Sequence, residues 1–110
     1  MRFSRSSSGE IKEVTLSGHA GFDEEGKDIV CAAASTLLYT AIGALEDLCG
    51  FTDFYRIEEA VDDESIPFSE IRIPDAKEDK SHTAQTIVRV MEIGFKQLAQ
   101  SAEGFVRLEE

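Results

Sequence analysis

The stretch SGHAGFDEEGKDIVCAAAS, residues 17–35, contains the change of pattern that determines how this chain folds. Before it, Val14 and Leu16 alternate with polar residues, which is the period-two pattern of a strand with one buried face. Within it, Asp28 precedes an alanine-rich run, and aspartate is a favoured helix cap because its carboxylate accepts the free N–H groups of the first turn. The sequence therefore predicts a strand ending at residue 17 and a helix capped by Asp28.

A histidine and a cysteine lie on the two sides of this connection. His19 follows the predicted strand, and Cys31 falls at the third position of the predicted helix. Unpaired N–H groups and the positive end of the helix dipole favour a thiolate there. A thiol nucleophile needs a base to take its proton, so His19 and Cys31 together predict the catalytic pair of a cysteine protease.

The segment between these two residues has the composition of a lid. It contains Gly21 and Gly26 at its ends, three acidic residues and one aromatic residue, Phe22. Few of its side chains can anchor it to a core, although a hydrophilic strand-to-helix connection is the commoner case for such sequences. Its place between base and nucleophile favours a mobile lid in which Phe22 closes on a substrate.

The spacing of Ser17-Gly18-His19-Ala20, Gly26, Asp28-Ile29-Val30-Cys31-Ala32-Ala33 and Ser35 resembles the ribosomal-processing cysteine protease family, called Prp. The resemblance implies a small homodimeric bacterial α/β enzyme without a cofactor. Such an enzyme removes a short N-terminal extension from a large-subunit ribosomal protein, cutting after a hydrophobic, phenylalanine-containing motif. It implies Cys31 as nucleophile and His19 as general base, with Asp28 and Ser35 at further motif positions in supporting roles. Residues 51–80 match no motif of the family.

Composition limits the kinds of partner. The 110 residues predict one domain, residues 1–110, and the formal net charge of −11 argues against nucleic-acid binding, because phosphate-binding surfaces need clustered Lys and Arg. An acidic surface suits a basic partner such as a ribosomal protein, although many proteins are acidic for solubility alone. No apolar leader follows Met1, so a cytoplasmic protein is expected.

The uncharged run 29–45 is shorter than a membrane span, which needs about 20 residues, and contains polar residues. It predicts a buried helix that needs cover on several sides. That requirement favours a dimer, in agreement with the resemblance.

The remaining patterns predict a small α/β (α+β) domain with two main helices and a mixed or antiparallel sheet of about four to five strands. The predicted strands are residues 1–5, 10–17, 53–58 and 65–73, with a possible fifth over 105–108. The second helix is predicted over residues 80–102 by a single apolar stripe: Ala84, Ile87, Val88, Met91, Phe95, Leu98 and Ala102.

The other cysteine and the other histidine have simpler interpretations. Cys49 follows Cys31 by eighteen residues, which on one continuous helix is ~27 Å at about 1.5 Å per residue, too far for a disulfide. Cys49 is expected to pack as a small hydrophobe, and His82 to be solvated near the start of the second helix. No closely spaced ligand pair occurs among the two cysteines and two histidines, His19, Cys31, Cys49 and His82, so no metal site is expected.

Two other classes of protein are compatible with the residues. In a non-catalytic, ribosome-associated α/β interaction dimer, Cys31 would be a buried core residue and its thiol unreactive. In a thiol redox sensor, Cys31 would form a sulfenic acid or an intermolecular disulfide, because no resolving cysteine lies within reach along the helix.

Overall fold

The computed structural model describes residues 1–17, 27–58 and 68–101, and for residues 27–31 it describes the backbone alone. The predicted fifth strand, residues 105–108, and the lid lie outside these residues. The elements in chain order are β1 (Arg2–Arg5), β2 (Ile11–Ser17), α1 (Lys27–Cys49), β3 (Tyr55–Glu58), β4 (Phe68–Arg72) and α2 (Glu78–Ser101).

The four strands form one antiparallel sheet in the order β1-β2-β4-β3. The first two strands form an antiparallel hairpin. Its turn closes where the N–H of Ser6 donates to the carbonyl of Glu10 at 2.8 Å, and Gly9 has a φ of 90°, which favours glycine. The predicted α+β class, with two helices and an antiparallel sheet of four described strands, is confirmed.

The core lies between one face of the sheet and the two helices. Phe3, Val14 and Ile71 are buried on that face, one from each of β1, β2 and β4. The helices contribute two buried stripes at helical spacing. These stripes are Leu38, Ala41, Ile42, Leu45 and Cys49 on α1, and Ala84, Val88, Met91 and Phe95 on α2.

Helix α1 ends in a glycine cap. Gly50 has a φ of 68°, its N–H donates to the carbonyl of Glu46 at 3.0 Å, and the N–H of Phe51 donates to that of Leu45 at 3.4 Å. These bonds satisfy carbonyls that the end of a helix leaves free. The chain then turns sharply, so that Phe51 and Phe54 return to the core as an edge-to-face pair with ring centroids 6.0 Å apart.

Two polar contacts fasten α2 to the hairpin. Nη2 of Arg5 donates to both carboxylate oxygens of Glu92, at 2.6 and 2.7 Å, and Glu92 is the one buried charged residue in the described part of the chain. The side-chain amide of Gln85 accepts from the N–H of Ile11 and donates to its carbonyl, both at 2.8 Å. Both contacts lie beside the register shift between Ser4 and Arg5, where the regular pairing of β1 with β2 is interrupted.

The Arg5 to Glu92 ion pair is expected to be important for stability. Arg5→Ala should lower the free energy of unfolding by about 2–4 kcal/mol, because it leaves the nearly buried carboxylate of Glu92 without its partner. The control is Arg72→Ala, which removes an exposed guanidinium paired with Glu70 and should cost under ~1 kcal/mol. Chemical denaturation measures both. Equal losses in the two variants would show that the pair has no special role.

Candidate active site

The connection that carries the predicted site leaves the sheet at one defined end. Strand β2 ends at Ser17, and α1 begins at Lys27, so residues 18–26 join them. Ser17 is the register partner of Phe68, and Phe68 is the register partner of Glu58. The last residue of β2, the first of β4 and the last of β3 therefore lie side by side at this end, which is called the catalytic end below.

The predicted site residues fall into two groups. His19 and the lid residues Gly21, Phe22 and Gly26 lie outside the described residues. Asp28 and Cys31 are described by their backbone alone, and both belong to α1. The predicted change from strand to helix across this stretch is therefore found, with the cysteine close to the start of the helix.

The start of α1 differs from the prediction in one respect. The helix begins at Lys27, so Asp28 is its second residue rather than its cap, and Cys31 is its fifth residue rather than its third. The effect of the helix dipole falls off within the first turn, so it favours a thiolate at position 31 less than the sequence suggested.

Ser35 is exposed and lies four residues after Cys31, which is one turn further along the same helix. Thr36 beside it donates its hydroxyl to the carbonyl of Ala32 at 2.8 Å. The hydroxyl of Thr36 is thus used within the helix. Ser35 is the described hydroxyl nearest in the sequence to the predicted nucleophile.

The other end of α1 has a different chemistry. Cys49 is buried, and its Sγ donates to the carbonyl of Lys80 at 3.6 Å, while Nζ of Lys80 donates to the carbonyl of Leu48 at 3.1 Å. Burial raises the pKa of the Cys49 thiol above its ordinary value, and the opposing charge of Lys80 offsets part of that rise. Cys49 is thus a packed thiol, as predicted, and is poorly suited to act as a nucleophile.

His82 is remote from the start of α1. It is exposed in the first turns of α2, two residues after Lys80, which contacts the far end of α1. The eighteen residues from Cys31 to Cys49 form one unbroken helix, a rise of ~27 Å at about 1.5 Å per residue. The expectation of a solvated His82 is confirmed. The second histidine of the chain, His19, lies outside the described residues.

Sequence reasoning did not find one feature beside β3, in the region that matches no motif. A cavity of about 310 Å³ is lined by Asp53, Phe54, Tyr55, Arg56, Glu70 and Arg72. Arg72 pairs with Glu70 at 2.7 Å, and the guanidinium of Arg56 lies over the ring of Phe68, 5.4 Å from its centroid. The lining combines residues 53–56 with Glu70 and Arg72, which only the pairing of β3 with β4 brings together, so a local pattern could not reveal the cavity.

Two further kinds of site are absent from the described residues. They contain no group of three or more His, Cys, Asp or Glu side chains placed to hold a metal ion. Neither α1 nor α2, over its described length, is apolar enough to be a membrane span.

A small α+β fold with a cysteine near the start of its long first helix is compatible with the class of cysteine proteases. The family described as Cysteine protease Prp matches residues 1–107, nearly the whole chain. The ribosomal processing cysteine protease Prp of Staphylococcus aureus is 32% identical over 100 residues, covering 91% of this chain and 87% of that protein. The Bacillus subtilis protein of the same name is 27% identical over 98 residues, covering 89% of this chain and 84% of that one. This chain therefore belongs to the Prp family of cysteine proteases.

Solved structures show the same fold. The crystal structure of SMU.848 from Streptococcus mutans has a TM-score of 0.81 at 30% identity, covering 98% of this chain and 89% of that one. Two structures of the essential ribosomal processing protease Prp from S. aureus each cover 98% of this chain and 94% of that one. The structure with a substrate peptide has a TM-score of 0.71 at 26% identity. The structure with a covalently linked product peptide has a TM-score of 0.68 at 29% identity.

The two thiols should differ sharply in reactivity. In the native protein near neutral pH, iodoacetamide should label Cys31 and leave Cys49 unmodified, because burial raises the pKa of Cys49 and shields its sulfur. Peptide mapping by mass spectrometry measures the two sites separately, and labelling after unfolding in guanidinium provides the control. Faster native labelling of Cys49 than of Cys31 would contradict this assignment of roles.

Proposed function

We propose that this protein is an endopeptidase that removes a short N-terminal extension from a large-subunit ribosomal protein, with Cys31 as nucleophile and His19 as base. The observation that carries the proposal is the product peptide covalently linked to the S. aureus Prp, a relative of the same fold over 98% of this chain. A covalent product is what a nucleophilic protease forms on its pathway. The names of the S. aureus and B. subtilis relatives supply the ribosomal substrate class.

The positions of the described elements support this assignment. The backbone of Cys31 lies in the first turns of α1, and β2 ends two residues before His19. The other cysteine is buried and engaged with a carbonyl, and the other histidine is at the far end of α1. Of the two cysteines and two histidines in the sequence, Cys31 and His19 are thus the pair that remains for catalysis.

The proposed reaction uses the chain's own groups. His19 takes the proton of the Cys31 thiol as the sulfur attacks the scissile carbonyl, forming a C–S bond and an oxyanion. The first N–H groups of α1 have no partner within the helix, and donors of this kind stabilise oxyanions. The C–N bond then breaks, and the protonated His19 returns the proton to the leaving amine. Water hydrolyses the thioester and regenerates the thiol.

Asp28 and Ser35 have supporting roles in the proposal. As the second residue of α1, Asp28 places a negative charge in the first turn, which favours the start of the helix. A carboxylate close to a thiolate would raise the pKa of the thiol, so a direct role in activating Cys31 is disfavoured. Ser35, exposed one turn beyond Cys31, is assigned to the surroundings of the substrate.

Charge and exposed apolar residues support the proposed partners and location. A chain with a net charge of −11 is complementary to a basic ribosomal protein, and no nucleic-acid contact is proposed. Leu48, Val90 and Ile93 are exposed on the two helices, which suits a homodimer. Sedimentation equilibrium measures the dimer, and a monomer at micromolar concentration would contradict it. Ribosomal processing and reduced thiols suit the cytoplasm.

The two alternative classes have less support. A non-catalytic dimer does not account for a covalent product peptide on a relative of the same fold. A redox sensor that forms a sulfenic acid or an intermolecular disulfide at Cys31 does not account for that covalent product peptide either.

Cleavage is tested on a synthetic peptide that spans the extension and the mature start of the ribosomal protein. Wild-type protein should cut one bond after a hydrophobic residue, and Cys31→Ser and His19→Ala should each reduce the rate by at least ~10²-fold, since nucleophile and base act together. Cys49→Ala is the matched control and should retain cleavage, as should Asp28→Asn. Mass spectrometry identifies the products. Full activity in Cys31→Ser would exclude the proposed nucleophile.

We propose that the segment containing Gly21, Phe22 and Gly26 is a lid that orders when substrate binds. Amides of residues 20–27 should then exchange rapidly in the free protein and more slowly when Cys31→Ser holds uncleaved peptide, because closure protects them from water. Hydrogen exchange with mass spectrometry measures both states. Slow exchange without peptide, unchanged by its addition, would contradict a lid.

A further inference from the structure

We infer that the substrate peptide binds as an added strand along the free edge of β3, paired with the backbone of Tyr55 and Ile57. This inference rests on the proposed function and names the surface that holds the substrate away from the scissile bond. It assigns a role to a region in which the sequence showed no functional pattern.

The hydrogen-bond register of β3 determines which backbone groups are available. The N–H of Arg72 donates to the carbonyl of Phe54 at 2.7 Å, and this pair continues the register in which Tyr55 faces Ile71. In an antiparallel ladder, hydrogen-bonded and non-hydrogen-bonded pairs alternate. Tyr55 and Ile57 therefore belong to non-hydrogen-bonded pairs, and their N–H and C=O groups point away from β4.

Those groups form the outer edge of the sheet. In the strand order β1-β2-β4-β3, β3 is terminal, and no described strand pairs with its outer side. Two residues with outward N–H and C=O groups supply two donors and two acceptors, enough for a short extended peptide. Extended peptides commonly add to a sheet edge in this way.

The opposite edge is less suitable. Strand β1 contains the register shift between Ser4 and Arg5, and irregularities of this kind turn an edge away from further pairing. Strand β3 pairs with β4 without a shift over its whole length. Its start is held by Phe54, which is buried and packs edge-to-face on Tyr55 with ring centroids 5.1 Å apart. A fixed edge costs less entropy to bind than a mobile one.

The direction of β3 also brings a bound peptide toward the catalytic end of the sheet. Strand β3 runs toward the catalytic end, where Glu58 lies beside Phe68 and Phe68 beside Ser17. Neighbouring strands are about 4.8 Å apart, so an added strand lies roughly 14 Å to the side of β2. About four extended residues at ~3.3 Å each span that distance. The paired part of the substrate should therefore be some four residues from the scissile bond.

Side chains of the protein on both faces of the sheet at this edge can contact the side chains of the substrate. Tyr55 is 42% exposed, so its ring is open to contact on the face that the helices cover. The cavity of about 310 Å³, which Tyr55 also lines, continues to Arg56, Glu70 and Arg72, whose side chains belong to the other face. An added strand directs alternate side chains to these two environments, one aromatic and one polar. This arrangement selects an extended peptide rather than a helix.

The test uses wild-type protein and the synthetic extension peptide with single backbone N-methyl groups, which remove one N–H donor each. Added-strand binding predicts an alternating pattern about four residues from the scissile bond, with kcat/KM reduced roughly three- to tenfold at every second position and unchanged between them. Uniform effects, or none, while the unmodified peptide is cleaved would overturn edge binding and leave the proposed function standing. Failure to cleave the unmodified peptide would overturn the proposed function itself, and edge binding with it.

A pair of variants tests the same edge from the side of the protein. Tyr55→Pro and Tyr55→Val both remove the ring, but only proline removes the outward N–H, which β4 does not use. With both variants folded by circular dichroism, Tyr55→Pro should have a kcat/KM roughly three- to tenfold below that of Tyr55→Val, mainly through KM. Equal values would overturn the inference. Loss of a dimer in Tyr55→Pro alone, measured by sedimentation, would also overturn it by assigning the edge to a second copy.

Discussion

Burial of the apolar stripe of α1 against α2 and the sheet is the interaction on which the rest of the structure depends. Leu38, Ile42, Leu45 and Cys49 occupy successive turns of the helix and are all buried. Each large side chain of this kind stabilises the fold by about 1.5–3 kcal/mol. Because the stripe is continuous, α1 behaves as one rigid rod of ~34 Å at about 1.5 Å per residue, while the longest strand, β2, spans only ~23 Å at about 3.3 Å per residue. The helix is therefore longer than the longest described strand, and its two ends lie far apart.

Each end of α1 carries one of the two cysteines. At one end, the backbone of Cys31 lies in the first turns of the helix, after the connection from β2. At the other, Cys49 is enclosed by Lys80 and the core, and burial raises the pKa of its thiol. The length of one helix thus keeps the two cysteines at opposite ends of the same element.

Much of this architecture could be read from local pattern. The alternation before Ser17 predicted β2 to within one residue, and the stripe from Ala84 predicted α2 to within two residues at its start. The strand predicted over 53–58 begins only at Tyr55, because Asp53 has a φ of 54°, which a strand does not allow. The strand predicted over 65–73 is described over Phe68–Arg72. The start of α1 was misplaced because an aspartate is favoured both before a helix and inside its first turn.

Features that depend on distant residues were beyond local pattern. Glu92 looks like a surface residue in the sequence, yet it is buried because Arg5, eighty-seven positions away, supplies its partner. The free groups of β3 depend on strand order and register, which no single segment encodes. Of the candidate site, the sequence supplied the residue types and their spacing, while the remoteness of His82 from Cys31 became visible only in three dimensions.

Gly94 of α2 packs closely against Leu37 of α1 because glycine has no Cβ. A Cβ at Gly94 would lie 2.7 Å from Cδ2 of Leu37, closer than unbonded carbon atoms can rest, so the side chain of Leu37 fills the space that glycine leaves. Leu37 lies six residues after Cys31 on the same rod. Any larger residue at position 94 would have to displace the outer carbons of the Leu37 side chain or push α1 away from α2. Position 94 therefore limits how closely α2 can pack on α1, at a point less than two turns of helix after position 31.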